Sequence, residues 1–343
     1  MATQTPKVIR ATFELEPHGS AEALAIEESL GMAEGPDFVR GRVVSECEGL
    51  AVLEFPAANW GRNLPMLLSS LVAGEGVEDR TFTRCRLVGL DLPAGLFPGP
   101  AFAAPADIGV GAIVKPSLGL RPAEVASVAA ALAAGGARLV KDDELMGDPE
   151  WCPLEQRVEA VASVLHPSVV YCANVTGPVE GLVARARRVV SLGATGVMVN
   201  AFTAGLDAVR ALRDAGLGVP IFAHRVGSGP WVRNDRFGVA GHVLTLLTRL
   251  AGADYVQVGA FAGKLFDTDD DVRNQLDAVR RPLGDVAVPV AVLGGGIGPD
   301  NAAVQAEQAG GAGLLMLLGS AAYRHPGGVE AGVRDTCDSL PRG

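Results

Sequence analysis

The sequence predicts an α/β protein in which a small α+β domain, residues 1–105, precedes a closed (β/α)8 barrel, residues 106–343. Three observations predict this fold class. From Ile113 onward, a short apolar strand, a turn and an amphipathic helix alternate eight times. The length of 343 residues suits a barrel of about 250 residues plus a smaller unit. A composition of 48% apolar residues with 44 glycines is typical of an α/β protein with many tight turns.

The eight predicted strands are almost continuously apolar, as expected for strands that are buried on both faces. They lie near Gly111–Ser117, Leu139–Glu144, Val170–Thr176, Gly196–Phe202, Ile221–Arg225, Tyr255–Gly259, Val290–Leu293 and Gly313–Gly319. The predicted helices lie around Pro122–Ala134, Pro153–Leu165, Val179–Leu192, Ala204–Ala215, Gly238–Ala251, Asp270–Arg280, Pro299–Ala309 and Gly328–Ser339. Right-handed crossovers between parallel strands close such units into a barrel, and an open doubly wound sheet is the alternative.

The first hundred residues have a different pattern. Ile9–Leu15 and Gly41–Phe55 are strand-like, whereas Ala21–Leu30 and Leu64–Ala73 are helix-like. This pattern predicts an α+β (ferredoxin-like) domain with helices on one face of a small antiparallel sheet. Leu92–Ala106 is rich in Pro, Gly and Ala and is interpreted as the connection to the barrel.

Charge and cysteine content argue against several classes of protein. The formal net charge is −10 and no Lys/Arg-rich run is present, so we expect neither a nucleic acid nor a membrane as partner. No apolar stretch reaches about 18 residues, and Met1–Pro6 is polar, which favours a cytoplasmic protein. The five cysteines show no C-x-x-C spacing and are interpreted as reduced thiols.

Polar residues end most of the predicted strands, where barrel enzymes form their active sites. In chain order they are Lys115-Pro116-Ser117, Lys141-Asp142-Asp143-Glu144, Asn174-Val175-Thr176, Asn200, His224-Arg225, Gly263-Lys264, Gly294-Gly295-Gly296 and Gly319-Ser320. A lysine beside carboxylates is costly in a core, so Lys141 with Asp143 and Glu144 indicates a site for a divalent metal. A structural network of ion pairs at the barrel mouth is the alternative.

The residue types at the other strand ends suggest a division of roles. Burial and neighbouring cations can lower the pKa of Lys115 into the range useful for proton transfer, although this lysine could also extend from the rim into solvent. His224 can exchange protons and Arg225 can grip a phosphate, unless His224 is an ordinary core residue.

The glycines that end the last two strands suit a phosphate. We expect Gly295, Gly296, Gly319 and Ser320 to offer backbone N–H groups to it, with Pro299-Asp300-Asn301 opening the next helix; plain tight turns are the alternative.

The strand-end motifs also resemble a known family. Gly111-Ala112-Ile113-Val114-Lys115-Pro116, Lys141-Asp142-Asp143-Glu144, Ala223-His224-Arg225, Gly263-Lys264-Leu265 and His325-Pro326 follow one another as in the large subunit of RuBisCO. The resemblance covers about Gly111–Gly328 closely and the first hundred residues only loosely.

The resemblance implies that Lys141 reacts with CO2 to form a carbamate, which binds Mg2+ together with Asp143 and Glu144. It further implies that Lys115 donates or accepts a proton and that Lys264 lies on a mobile loop that closes over the substrate. Asn174 stands where the family places a polar group near the metal, or else it ties down the barrel rim. The family shares its active site between subunits, so we expect a homodimer or higher oligomer.

Several departures from the family pattern argue against CO2 fixation on ribulose bisphosphate. Ser117 replaces a lysine, Gln257 replaces a phosphate-contacting histidine, and Glu28-Ser29-Leu30-Gly31-Met32 is a reduced form of a first-domain motif. Gly74 aligns near a substrate-holding asparagine of RuBisCO and supplies no first-domain lysine base of the kind that methionine-salvage relatives use. These departures indicate a RuBisCO-like protein that forms an enediolate from a phosphorylated keto acid or ketose.

Three functions remain open at this point. The missing first-domain lysine favours decarboxylation or transcarboxylation of a substrate such as 3-oxo-isoapionate 4-phosphate. The alternative is a methionine-salvage enolase or isomerase that acts on methylthio-sugar phosphates. A barrel that binds or regulates without turnover is the alternative from another class, although unused ionisable groups at a strand end would cost stability without return.

Overall fold

The computed structural model describes residues 7–28 and 40–341. The chain forms two compact units. The first contains the described residues up to Pro98 together with Ser228–Leu244 and Leu283–Val286. The second contains the described residues of Gly99–Gly227, Thr245–Pro282 and Ala287–Gly343.

The first unit is built on a five-stranded sheet. Its strands are β1 (Val8–Glu16), β2 (Arg42–Cys47), β3 (Leu50–Pro56), β4 (Arg84–Asp91) and β10 (Phe237–Val239), in the order β10-β4-β1-β3-β2. The helices α1 (Ala21–Glu27), α2 (Leu64–Leu71), α3 (Glu75–Glu78) and α8 (Gly229–Val232) and a 3-10 turn at Ala57–Asn59 accompany it. The order β4-β1-β3-β2 with antiparallel pairing confirms the predicted α+β domain.

Strand β1 lies at the centre of this sheet and buries one of its two faces. Ile9, Ala11, Phe13 and Leu15 are buried on one face, whereas the residues between them are less buried. The strand β10 corrects the prediction of a helix from Gly238, because Phe237–Val239 pairs in parallel with Cys85–Leu87. The helix that was predicted there begins three residues later, at Gly241.

The second unit is a closed barrel of eight parallel strands, as predicted. The strands are β5 (Ile108–Ile113), β6 (Leu139–Lys141), β7 (Val170–Asn174), β8 (Gly196–Asn200), β9 (Ile221–His224), β11 (Tyr255–Val258), β12 (Val290–Ile297) and β13 (Leu314–Leu318). Their order around the barrel follows the chain, and β13 pairs with β5 to close it. The carboxyl ends of all eight strands therefore meet at one face.

Helices follow the strands along the chain. They are α4 (Pro122–Ala134), α5 (Leu154–Ala162), α6 (Leu182–Ser191), α7 (Leu206–Asp214), α9 (Gly241–Ala251), α10 (Asp269–Arg280), α11 (Ala302–Ala309), α12 (Ser320–Tyr323) and α13 (Gly328–Ser339). The helix α11 begins at Ala302 rather than at the predicted Pro299, since Asn301 Oδ1 accepts a hydrogen bond from Gly298 N (2.9 Å) in a turn that precedes the helix. No helix within the described residues combines the length and the apolar character that crossing a bilayer requires.

The barrel interior below the mouth is filled by apolar side chains. Leu139, Met198, Phe222, Val292 and Leu315 belong to one buried cluster to which most of the strands contribute. Such a packed interior leaves the polar strand ends as the place where chemistry can occur.

The first barrel strand ends earlier than predicted. β5 stops at Ile113, whereas the sequence predicted a strand over Gly111–Ser117. The reason is that the backbone N–H of Lys115 donates to Tyr323 Oη (2.9 Å) instead of to a neighbouring strand, and Pro116 has no N–H to donate. Lys115 therefore lies beyond the ladder, at the rim.

Candidate active site

Two side chains from two strand ends converge on the carboxylate of Glu144. Lys141, which closes β6, places Nζ 3.3 Å from Glu144 Oε2. His224, which closes β9, places Nε2 3.4 Å from the same oxygen. Lys141 is fully buried, and its Nζ also donates to the backbone carbonyl of Asp142 (2.8 Å). One carboxylate oxygen is thus shared by an amine and an imidazole.

A second lysine–carboxylate pair lies beside the first. Lys115 Nζ forms an ion pair with Asp143 Oδ2 and donates to Ser117 Oγ (3.0 Å). The other oxygen of Asp143 accepts a hydrogen bond from Leu145 N (3.0 Å). The side chain of Asp143 is fully buried. Tyr323 Oη bridges the two sides of this strand end, since it accepts from Lys115 N and donates to the carbonyl of Ile113 (2.8 Å). Lys115 is therefore held from both its backbone and its side chain.

The environment shifts the pKa values of these groups. Burial lowers the pKa of Lys141, although the nearby carboxylates of Glu144 and Asp143 oppose that change. Burial would raise the pKa of Glu144, but the charge of Lys141, a backbone hydrogen bond and Lys115 lower it overall. Burial, with the positive charge of Lys141, lowers the pKa of His224 well below its ordinary value. His224 is therefore a neutral imidazole near pH 7.

The tautomer of His224 follows from its second nitrogen. Nδ1 accepts a hydrogen bond from the backbone N–H of Val226 (3.1 Å), so Nδ1 carries no proton. The proton of the neutral ring therefore lies on Nε2, which is 3.4 Å from Glu144 Oε2. In this state His224 is a donor at the barrel mouth.

Two asparagines hold the segment that carries the carboxylates. Asn174 Nδ2 lies 3.1–3.3 Å from the backbone carbonyls of Asp143, Glu144 and Met146, and its Oδ1 accepts from Thr176 N. Asn200 Nδ2 donates to the same carbonyl of Glu144 (2.9 Å). With its amide engaged at both ends, Asn174 ties down the rim, which is one of its two predicted roles.

Asp142 has an environment unlike that of Asp143. Its carboxylate accepts from Arg157 Nε (3.1 Å), Tyr171 Oη (2.9 Å) and Asn174 N (2.9 Å), and the side chains of Asp142 and Arg157 are completely buried. Arg157 also donates to two backbone carbonyls, of Cys152 and Gly147. Every strong donor and acceptor of this pair is engaged, which identifies Asp142 as a structural anchor.

Arg225, predicted to bind phosphate, is held by a carboxylate of its own chain. Its Nη1 and Nη2 each lie 3.0 Å from one oxygen of Asp267. Gln275 Nε2 donates to Asp267 as well (2.6 Å), and the backbone N–H of Arg225 lies 3.4 Å from Gln257 Oε1. The guanidinium fork is therefore occupied in this structure.

The loop with Lys264 and the glycine turn after β12 lie against each other. Lys264 is exposed, and its backbone N–H donates to the carbonyl of Gly295 (3.0 Å). Gly295 and Gly296 have φ values of +122° and +98°, and a Cβ at Gly295 would come within 2.9 Å of Leu265. Only glycine fits such backbone conformations without strain.

The last strand end carries Gly319 and Ser320. Ser320 begins the short helix α12, and its Oγ accepts from Arg324 Nη1 (3.1 Å). The structure thus brings Lys115 into contact with Asp143, and Lys141 and His224 into contact with Glu144. The predicted phosphate-binding residues contact only groups in their own surroundings.

Sequence reasoning missed three residues that shape this face: Tyr323, Asp267 and Gln275. It named Asn200 as a strand end without giving it a role, and the structure shows that its amide donates to the carbonyl of Glu144. Tyr323 and Gln275 lie on helices and Asp267 lies in a loop, where no sequence pattern distinguishes them from ordinary surface or core residues.

The side chains at the barrel mouth supply only part of a donor set for Mg2+. Within the described residues, no three His, Cys, Asp or Glu side chains are grouped so that they could hold a metal ion. Asp143 and Glu144 supply two carboxylates, and each is now neutralised by a lysine amine. A carbamate on Lys141 would replace one of these amines with an anionic oxygen ligand, which suits a hard cation. The residues fit Mg2+ only with that modification.

Residues 102–339 match the family described as ribulose bisphosphate carboxylase large chain, catalytic domain. The chain is 34% identical over 313 residues to the 3-oxo-isoapionate-4-phosphate transcarboxylase/hydrolase of Xanthobacter autotrophicus, covering 84% of this chain and 75% of that protein. It is 30% identical over 338 residues to the 2,3-diketo-5-methylthiopentyl-1-phosphate enolase of Geobacillus kaustophilus, covering 91% and 79%.

A third relative is the ribulose bisphosphate carboxylase-like protein of Allochromatium vinosum, 32% identical over 81% of this chain; the match spans only 65% of that protein's length. Among solved structures, the octameric RuBisCO of Pyrococcus horikoshii in complex with sulfate has a TM-score of 0.88 at 25% identity, covering 99% of this chain and 88% of that one. The protein described here therefore belongs to the RuBisCO large-chain family.

Proposed function

We propose that the protein is a Mg2+-dependent RuBisCO-like enzyme that forms an enediolate from a phosphorylated keto acid by removing or transferring a carboxyl group. It is not proposed to be a CO2-fixing carboxylase. The observation that carries this proposal is the convergence of Lys141, His224 and Glu144 beside the Lys115–Asp143 pair at the carboxyl end of the barrel. Titratable groups concentrated in this way at a strand end are typical of a catalytic site.

Lys141 is suited to capture CO2. Its burial favours the neutral amine, whose nitrogen lone pair would attack the carbon of CO2 while one N–H proton leaves, giving an N-carboxylate. Lys141, as this carbamate, would hold Mg2+ together with Asp143 and Glu144. Bound Mg2+ would polarise the substrate carbonyl and stabilise negative charge that develops on its oxygens.

The remaining residues would position the substrate and move protons. Lys115 contacts Asp143 at the rim, with 28% of its side chain exposed, so it can reach a substrate carbon or oxygen and exchange a proton there. His224 presents Nε2–H as a neutral donor. Lys264, on its exposed loop, would reach the substrate carboxyl group, and the turns at Gly295, Gly296, Gly319 and Ser320 would bind the phosphate.

A substrate of the 3-oxo-isoapionate 4-phosphate type is supported by Gly74 and by the Xanthobacter relative. A Cβ at Gly74 would lie 2.0 Å from the carbonyl of Ser70 and 2.5 Å from Glu28 Oε2. No lysine fits at this position, so the first-domain base of the methionine-salvage relatives is missing here. Ser29–Met32 of the first-domain motif lie outside the described residues.

The second candidate is the enolase reaction of methionine salvage. The similarity to the Geobacillus enolase, which extends over 91% of the chain, favours it. The two candidates differ in product, because enolisation keeps every carbon whereas decarboxylation releases one as CO2. For either reaction we propose at least a homodimer, which accords with the octameric state named for the Pyrococcus enzyme.

The test is a reaction screen with 3-oxo-isoapionate 4-phosphate and 2,3-diketo-5-methylthiopentyl 1-phosphate, each with Mg2+ and bicarbonate. We expect loss or transfer of the carboxyl group from the first substrate, detected by mass spectrometry. The variants K141M and E144Q should be inactive, and E155Q, on the exposed face of α5, should retain full activity. Turnover of neither substrate, or equal turnover by K141M, would contradict the proposal and leave a binding barrel as the better account.

A further inference from the structure

The guanidinium of Arg225 is fully matched by a buried carboxylate. The two N–H···O contacts to Asp267 are equal at 3.0 Å, and only 2% of the Asp267 side chain is exposed. Parallel contacts of this kind form the same fork that arginine presents to a phosphate. Asp267 thus occupies the place that an oxyanion would take.

Neighbouring groups fix the pair in this arrangement. Gln275 donates to Asp267 Oδ1 and accepts from Gly259 N (3.1 Å), which links the pair to the end of β11. The ring of Phe266 lies 5.7 Å from the guanidinium carbon of Arg225. Because these contacts come from several elements, Arg225 cannot turn toward a ligand without leaving Asp267 buried and poorly paired.

An incoming phosphate would face two costs at Arg225. The phosphate would have to displace Asp267, which would then keep only the amide of Gln275 as a partner. A buried carboxylate that has lost its cation is strongly destabilising. If Asp267 stayed in place, two anions would lie side by side and repel each other. Either cost weakens the binding of a phosphate at this position.

We propose that Asp267 is a specificity-determining residue, which fills the fork of Arg225 and restricts the site to substrates with one phosphate, held elsewhere at the barrel mouth. This inference rests on the proposed function, because it concerns the phosphorylated substrate of that site. It differs from the sequence expectation, in which Arg225 itself grips the phosphate. Arg225 then acts as a positioning residue for the loop between β11 and α10, which carries Asp267.

The test counts bound inorganic phosphate by equilibrium dialysis of the full-length protein without Mg2+. The variant D267N keeps the shape of the side chain and removes its charge, so it should bind one phosphate ion per chain more than the wild type. The double variant R225Q/D267N should return to the wild-type number and to an affinity within twofold of the wild type. E155Q is the matched control, since it also removes a carboxylate from an arginine pair, Arg188–Glu155 (2.8 Å), and should gain no phosphate.

The outcomes separate this inference from the proposed function. A D267N variant that folds and gains no phosphate overturns the inference, as does a tenfold or greater loss of phosphate affinity in R225Q/D267N. Should D267N not fold, the comparison of wild type with the double variant, which leaves no charge unpaired, decides. A wild type that binds no phosphate, with a D267N variant that binds one, supports the inference and contradicts the phosphate part of the proposed function.

Discussion

Asp142 and Asp143 are neighbours in the chain but lie in opposite environments. Asp142 accepts three hydrogen bonds from Arg157, Tyr171 and Asn174 in the fully buried region next to the barrel wall. Asp143 faces the mouth, where its ion-pair partner Lys115 is 28% exposed. Both residues follow β6, which ends at Lys141, and there a single residue step separates an anchor from a site.

The barrel thus holds charged residues for two purposes. The hydrogen-bonding groups of both Asp142 and Arg157 are engaged within the protein, so this pair offers no group to a ligand. At the mouth, CO2 and a cation could change which groups the lysine amines and the carboxylates contact. We therefore expect substitutions at the anchor to change stability and substitutions at the mouth to change activity.

The largest effect is expected for D142N. The substitution leaves Arg157 buried without its counter-charge, so the free energy of unfolding should fall by about 3–5 kcal/mol. Urea denaturation measures this free energy. D143N should lose clearly less unfolding free energy, because its partner Lys115 can be solvated. A larger loss for D143N than for D142N would contradict the assignment of Asp142 as the anchor.

K115M should mainly lower activity. Loss of a proton-transfer group lowers kcat by about 10²–10⁴-fold. Some unfolding free energy is also lost, because the fully buried Asp143 keeps only its hydrogen bond from Leu145 N. The measurement is steady-state kinetics on the substrate that the reaction screen identifies. K7M, at an exposed lysine, is the control, and unchanged kcat in K115M would remove Lys115 from the catalytic set.

The stability of the metal-free protein should depend on His224 at mildly acidic pH. Its pKa in the folded state is lowered, so below the unfolded value of about 6.5 the unfolded chain binds a proton that the folded chain does not. Stability is then lost as pH falls, by up to about 1.4 kcal/mol between pH 6.5 and 5.5.

Chemical denaturation of the metal-free protein at pH 7.5 and 5.5 gives this difference. In H224Q the loss of stability that is due to His224 should be absent. H166Q, which changes an exposed histidine, should lose as much stability as the wild type between the two pH values. Equal pH dependence in wild type and H224Q would show that another group is responsible.

The smallest effect is expected for N200A, which removes one hydrogen bond to the carbonyl of Glu144. The loss should be about 1 kcal/mol of unfolding free energy, because Asn174 still donates to that carbonyl. N174A removes contacts to three carbonyls and should cost more. If N200A proved the more damaging variant, the assignment of Asn174 as the principal tie of the rim would be wrong.

Much of the fold followed from local patterns. Eight apolar strands alternating with amphipathic helices predicted the barrel, and polar strand ends placed Lys115, Lys141, Asp143, Glu144 and His224 on one face. The structure confirms the barrel and shows contacts among these side chains. Parallel strands make this possible, since their carboxyl ends share one edge of the sheet.

The remainder depends on contacts between distant residues, which no local pattern reveals. Arg225 pairs with Asp267, 42 positions away, and a sequence shows neither that the guanidinium is occupied nor by which carboxylate. The strand β10 has only three residues and pairs with β4 at the edge of another sheet. Its apolar Phe237 and Val239 match the pattern of the following helix equally well.

The most direct test of the central claim is 13C NMR of the protein with 13C-labelled bicarbonate and Mg2+. A carbamate resonance should be present in wild type and K115M and absent in K141M. E144Q should weaken the Mg2+ dependence of this resonance. A wild-type spectrum without a carbamate, or one that K141M retains, would contradict the assignment of Lys141, Asp143 and Glu144 as the centre of the site.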